Sequence, residues 1–283
     1  MKYIIIDLEW NGNISGRTRQ YFNELIEIGA VRLDEKLNQT DTFQALIKPV
    51  HHKRLTGRVR GLTHLTNTDI RGGISFAEVF NGFCDWVGEG DNCFMSWGTG
   101  DLLVLLENLD YYKMRGKLAV MKSFCDAQAV CMDALGCGNA HQPSVSAVAE
   151  AAGVSLGEMG LHRALDDSII TARCLKALMT PEMLERRRAH ADENFFRRLA
   201  FKPRYICNPQ SGHIKASALN HDCPNCGGRL ARTGDFFIRS KSICAEYTCA
   251  ACHKEYIIKD RFRLMFEGVE HRVSISEKKN DKE

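Results

Sequence analysis

Two carboxylates open the chemistry of this chain. In "YIIIDLEW" an apolar run ends in Asp7 and Glu9, with only Leu8 between them. On a strand, side chains alternate faces, so the two acids share one face and Leu8 takes the other. Crowded carboxylates repel, and the repulsion raises the pKa of at least one of them. A hard divalent cation removes that conflict. Further acids occupy comparable settings. Asp101 follows the short apolar run "CFMSWG" and opens "DLLVLLENLDYYK", either as a helix cap or as a group at the strand-end edge of a sheet. "GLHRALDDS" brings His162, Asp166 and Asp167 to another helix entry.

A second constellation is built from sulfur. "CPNCGG" carries Cys223 and Cys226, and "CAAC" carries Cys249 and Cys252. Two C-x-x-C turns supply the four thiolates of one closed tetrahedral Zn²⁺ site, structural rather than catalytic. Cys207, Cys244, His221 and His253 are near enough in sequence to substitute as ligands.

These groups need positioning elements. "YIIIDLEW", "ELIEIGAVRLDE" and "TDTFQALIKPV" read as three strands with hairpin-like connections, hence antiparallel. "SFAEVFNGFCDWVG" has apolar residues at helical spacing behind a Ser start. "NCFMSWG" reads as a short strand and "DLLVLLENLDYYK" as a helix. "SVSAVAEAAG" reads as a helix stopped by Gly153, and "ALDDSIITARCLKALM" as one ended by Pro181. Strands followed by alternating strands and helices imply an α/β sheet covered on both faces.

With these elements in place, "IIIDLEW", Asp101 after its strand and "HRALDDSIITA" resemble the three motifs of the DEDDh superfamily of 3′→5′ exonucleases. The D-x-E motif falls on Asp7 and Glu9, and the H-x-A-x-x-D motif on His162, Ala164 and Asp167. "EIGAV" looks like the family's second strand, and "GLTHLTNTDI" like the segment after its third. "LDDS" is most similar to the Eri-1-like branch. The resemblance covers roughly residues 1–180.

It implies a ribonuclease H-like mixed sheet flanked by helices. It also implies metal-dependent release of nucleoside 5′-monophosphates from RNA or short single-stranded nucleic acid, with a proofreading-type DNA 3′→5′ exonuclease, or a noncatalytic nucleic-acid-binding regulatory protein on the same fold, as the alternatives. Asp7, Glu9, Asp101 and Asp167 would ligate two Mg²⁺ or Mn²⁺ ions, since oxygen-only donors favour these over Zn²⁺. His162 would be the general base, a residue type suited to proton transfer near neutrality. Spacing alone would put Asp166, not Asp167, on the face of a helical His162. The two readings agree if Gly160 and Leu161 lie in a loop and the helix starts near Ala164.

The expected organisation is an exonuclease domain over 1–180, a charged helical linker over 181–204, a small β-rich zinc ribbon over 205–270 and a disordered tail over 271–283. Charge is split: residues 181–283 hold 20 basic and 14 acidic side chains, the rest 18 and 21. A basic half beside an acidic, metal-dependent half suits a polyanionic partner. Arg229, Arg232, Arg239 and Lys241, with Phe236, Phe237 and Tyr247, are of the kinds that hold single strands, and "HHKRLTGRVR" could hold a backbone. No run approaches the roughly 20 apolar residues that cross a bilayer. Asp7 interrupts an N-terminal apolar segment already too short for a signal peptide. The expectation is a cytoplasmic protein with reduced thiols.

Overall fold

The computed structural model describes residues 1–14, 19–138, 142–156 and 162–278. The chain divides into two compact units, Met1–Leu199 and Ala200–Glu283.

The first unit begins with β1 (Lys2–Ile14), β2 (Tyr21–Leu33) and β3 (Gln39–Leu46), followed by α1 (Gly57–Thr63), α2 (Asn67–Gly72) and α3 (Phe76–Val87). Next come β4 (Asn92–Ser96), α4 (Gly100–Tyr111), β5 (Ser123–Asp126), α5 (Ala127–Ala134), α6 (Val145–Ala151) and α7 (Ala164–Leu178). The unit closes with α8 (Pro181–Arg187), β6 (Ala189–His190) and α9 (Glu193–Ala200). The sheet order is β3-β2-β1-β4-β5-β6. Strands β1, β2 and β3 pair antiparallel, and β4 and β5 join parallel to β1. This is a ribonuclease H-like mixed sheet with helices on both faces.

Alternation along β1 divides the core. Ile4, Ile6 and Leu8 pack with α3 and with Leu102, Leu105 and Leu109 of α4. Tyr3 and Ile5 pack on the other face with Ile170, Cys174 and Leu175 of α7. Full burial of each large aliphatic side chain is worth about 1.5–3 kcal/mol. The face that carries Tyr3 and Ile5 continues into Asp7 and Glu9, so the acids emerge where the core ends.

Two boundaries differ from the sequence expectation. Residues 181–199 are not a linker. Strand β6 pairs with β5, and Phe196 is buried in the core of the first unit with Phe195 packed beside it. The charges of α8 and α9 hid their few apolar residues, Leu184 packing into one core of the first unit and Phe196 into the other. Residues 271–278 are not a disordered tail: β12 (Gly268–Glu277) pairs with β11 (Glu255–Met265) along its whole length. The remaining tail residues lie outside the described ones.

The second unit also contains β7 (Arg204–Ile206), β8 (Leu230–Arg232), β9 (Phe237–Arg239) and β10 (Ser242–Cys249). Its sheet runs β12-β11-β10-β8, with β7 beside β11 and β9 beside β10. Among the described residues no helix is long and apolar enough to cross a membrane.

Candidate active site and metal centres

Three chain segments meet at the middle of β1, which continues past the acids to Ile14. Ligand oxygens of Asp7, Glu9 and Asp167 lie within 4.8 Å of one another. Asp101 joins them from the first turn of α4, where its buried Oδ1 accepts the Leu8 amide at 3.0 Å. It is not the cap of that helix; Thr99 holds the cap position without a side-chain bond. Helix α7 starts at Ala164, so His162 sits outside it in a left-handed turn (φ 68°). The His162 amide donates to Oδ2 of Asp167 at 3.1 Å. Gly160 and Leu161 lie outside the described residues. Asp166 is absent from the converging group.

The approach of α7 depends on β2. Asp7 lies opposite Gly29 in the β1–β2 ladder, and the Ser168 hydroxyl donates to the Gly29 carbonyl at 3.1 Å. Two pairs further along, Glu9 faces Glu27. The Glu27 side chain is fully buried and accepts two bonds from the Arg163 guanidinium, at 3.1 and 2.8 Å. Gln44 donates to it at 2.8 Å. This fork fixes the residue between His162 and the first turn of α7. A bulge after Glu9 then shifts the register by one. Beyond it, fully buried Asn11 donates to the Arg54 carbonyl and accepts the Thr56 amide, both at 3.0 Å. Thr56 caps α1.

The acids line a cleft of about 430 Å³. Its other walls include Trp10, Tyr21, Trp97, and Arg58 and Leu62 of α1. The basic stretch is therefore partly a helix at the cleft rather than a surface loop. Sequence reasoning missed Asn11, Glu27 and Trp97, and reached Arg58 only as part of "HHKRLTGRVR". The Thr-Gly start of α1 and a polar Asn in an apolar strand were the available signals.

Electrostatics in the cleft oppose full ionisation. Burial, then the charges of Asp101, Asp167, Glu9 and Glu27, hold the Asp7 carboxyl well above its ordinary value. Burial, then Asp167, Glu27 and Asp101, push Glu9 up to about 8 against the pull of Arg163. Asp101 is raised to about 7, chiefly by burial and against the Leu8 amide. Asp167 is raised by burial, partly offset by His162. Its Oδ1 is buried with no hydrogen-bond partner. Converging carboxylates of raised pKa, with an orphaned oxygen among them, fit a divalent cation.

The four knuckle thiols also converge. Cys223 and Cys252 Sγ are 3.6 Å apart, and Cys226 and Cys249 Sγ 3.5 Å. Sulfur atoms about 2.3 Å from one tetrahedral Zn²⁺ would be roughly 3.8 Å apart, so the cluster has the size of that site. Against burial, hydrogen bonds led by the Tyr256 hydroxyl bring Cys223 down to about 6. Backbone amides, Cys252 first, lower Cys249. Cys226 is pulled down by the Gly228 amide, but proton sharing with the other thiols outweighs this and lifts it to about 12. Gly227 (φ 74°) supplies the left-handed knuckle. The proposed substitutes lie elsewhere: His221 bonds Asp260 at 3.0 Å, and Cys244 is buried within β10.

The sequence model of the exonuclease family (RNase_T) matches residues 4–175. The chain belongs to that family. The chain is 27% identical over 109 residues to the probable 3′-5′ exonuclease KapD of Bacillus subtilis. That match covers 37% of this chain and about half of the relative, 51%. Among solved structures, a full-length 3′-exonuclease superposes with TM-score 0.51 at 20% identity, over 65% of this chain and 82% of that one. The cell-death related nuclease 4 (CRN-4) gives 0.52 at 18% identity, over 62% of each chain. Exonuclease I of E. coli with a dA16 oligonucleotide gives 0.51 at 13% identity, over 87% of this chain and 54% of that one. These likenesses are of fold.

Proposed function

We propose that this protein is a metal-dependent 3′→5′ exonuclease that releases nucleoside 5′-monophosphates from RNA or short single-stranded nucleic acid. The observation that carries this reading is the convergence of Asp7, Glu9 and Asp167 around an unpartnered buried oxygen. Asp7, Glu9, Asp101 and Asp167 would hold two Mg²⁺ or Mn²⁺ ions. Such ions neutralise charge on the attacking and leaving oxygens and make water a stronger acid.

The chain's own groups do the rest. His162, exposed at the mouth of the cleft, accepts the proton of the attacking water at its imidazole. The backbone bond from His162 to Asp167 keeps that base beside the acids. Trp10, Trp97 and Tyr21 give the terminal base faces to stack on. Arg58 offers a cation to the phosphate behind it. In the second unit, Cys223, Cys226, Cys249 and Cys252 would hold one structural Zn²⁺. The "LDDS" resemblance to the Eri-1-like branch supports RNA as substrate.

The test is a pair of 5′-labelled RNA and DNA oligonucleotides with Mg²⁺, Mn²⁺ or EDTA. Stepwise shortening from the 3′ end, lost in EDTA, is expected, with RNA degraded faster. Cuts within a circular substrate would overturn the reading, and faster loss of DNA would reassign the substrate to a proofreading-type role.

A further inference from the structure

The second unit presents two unlike sheet faces. Residues paired across neighbouring strands share a face. Along β11, Tyr256, Ile258 and Phe262 point into small cores. The alternate residues Lys259, Arg261 and Arg263 point the other way. Arg272 of β12 lies directly opposite Arg261, and Tyr205 of β7 directly opposite Arg263. On the far side, Phe237 and Arg239 of β9 pair with Cys244 and Ser242 of β10 on this same outer face.

The face is arranged around one ring. Lys241 Nζ lies 5.2 Å from the Tyr205 centroid, and the Arg261 and Arg263 guanidinium carbons lie 5.9 and 6.0 Å from it. Tyr205 remains 39% exposed and Phe237 42%. Arg261 is tied down rather than mobile, donating to the Ser242 hydroxyl at 3.2 Å and to the Ser240 carbonyl at 3.1 Å. Ser240 and Lys241 make the tight β9–β10 turn, both at positive φ.

None of Arg239, Lys241, Lys259, Arg261, Arg263 and Arg272 has a carboxylate within ion-pair distance among the described residues. Glu246 and Glu255, towards the cysteine knuckles, are matched by Lys278. Glu270, across from Arg263, is the acid nearest in register. Like charges directly opposite on neighbouring strands are destabilising, so Arg261 against Arg272 costs the isolated fold stability. Protection of an edge strand by charge would account for Arg272 on β12. It does not account for Arg261 and Arg263, because β11 is an interior strand.

We propose that this face of the second unit is a nucleic-acid site in its own right, which holds single-stranded RNA or DNA by its phosphates and by stacking on Tyr205 and Phe237. Unpaired cations interleaved with exposed rings are what a single strand needs, and a duplex would offer no base faces to the rings. The structure also selects among the candidates from sequence. Tyr247 is buried with its hydroxyl bonded to the Leu219 carbonyl, and Arg232 covers Phe236. Neither contributes to this face.

The test uses the full chain with Asp167→Asn, without added Mg²⁺ or Mn²⁺ and without chelator, so that binding is read without cleavage, with the zinc site left loaded, and independently of the active-site reading. Fluorescence anisotropy of a labelled single-stranded 20-mer is followed as a function of salt. Combining Arg261→Ala, Arg263→Ala and Arg272→Ala should weaken binding by tenfold or more. It should also make the slope of log K against log salt shallower by about 2, at roughly 0.7 per phosphate contact on single strands. Tyr205→Ala should weaken binding with little change of slope, and Tyr205→Phe should restore it. Thermal midpoint and zinc content report that the variants are folded. Unchanged affinity and slope in the folded triple variant would overturn the proposal. So would displacement of the oligonucleotide by poly-glutamate at matched charge concentration, which would assign the face to an acidic protein.

Discussion

A methyl group placed on Gly29 would lie 2.1 Å from the carbonyl carbon of Ala164. Helix α7 therefore begins in direct backbone contact with β2, at the ladder position opposite Asp7. No flexible side chain can yield there, since the neighbouring atoms belong to the Ala164 and Leu165 backbone. Gly29→Ala should displace the first turn of α7 and carry Asp167 away from Asp7. Overpacking of this kind costs about 1–3 kcal/mol. We expect a lowered urea midpoint and a loss of activity larger than the stability change explains. Wild-type turnover in Gly29→Ala would mean that α7 need not touch β2.

Neighbouring acids on α7 should behave differently. Asp167 joins the converging carboxylates, whereas Asp166 lies outside that group in the first helical turn. There its charge favours the helix dipole by about 0.3–1 kcal/mol. Asp167→Asn should abolish hydrolysis with the fold intact, and Asp166→Asn should retain most of it. A steady-state assay in Mn²⁺ decides the ranking, and the reverse order would place the ligand on Asp166.

Much of this site is legible in the sequence because period and spacing are local. Alternation puts Asp7 and Glu9 on one face, and paired C-x-x-C turns converge wherever their strands are joined. The elements that escaped are short or depend on distant partners. Helix α1 has seven residues and is held in place through Asn11. Strand β5 has four residues and takes its meaning from β4. Strand β12 did leave a trace, since Val269, His271, Val273 and Ile275 alternate with polar residues. The charges of the terminal stretch masked it. The roles of Glu27 and Arg163 are 136 residues apart in sequence, beyond any local pattern.

The raised carboxyl values imply a pH dependence of the metal-free protein. Folded Glu9 at about 8 and Asp101 at about 7 keep protons that the unfolded chain, with carboxyl values near 4, has already released. The folded state then binds more protons between about pH 4.5 and 8, so stability falls as pH rises through that window. With no Mg²⁺ or Mn²⁺ added and no chelator, the thermal midpoint of the first unit should be higher near pH 5.5 than near pH 8. Mn²⁺ should raise it most at pH 8, and Glu9→Gln should flatten the metal-free trend. A metal-free midpoint that rises across this window in wild type but not in Glu9→Gln would contradict the assignment.

Zinc should be found in freshly purified protein at about one equivalent, as four thiolates on one ion require. Cys226→Ser removes one ligand and should release the ion. The loss should fall on the second unit, whose cores are small and one of which is built around the knuckle cysteines. Hydrogen exchange should then show lost protection in β8 and β10, with β1 and β4 unchanged. Protein purified without chelators and free of zinc would refute the site.

The last expectation concerns Glu27 and Arg163. Glu27 has no exposed side-chain surface, while the Arg163 side chain is 34% exposed. Removal of either partner is therefore not equivalent. Arg163→Ala leaves a buried carboxylate with only the Gln44 amide to satisfy it. Leaving a buried polar group unsatisfied costs about 1–3 kcal/mol, and more when it is charged. Glu27→Gln leaves a guanidinium that water can reach, so its cost should be smaller. Both changes free the turn that carries His162 and the start of α7, so turnover should fall about tenfold or more while substrate affinity changes less. The double variant should lose less than the two single losses added, because the second change removes a group already unpaired. Urea unfolding and steady-state kinetics on the three variants test this. Additive losses would mean that the fork does not hold the catalytic turn.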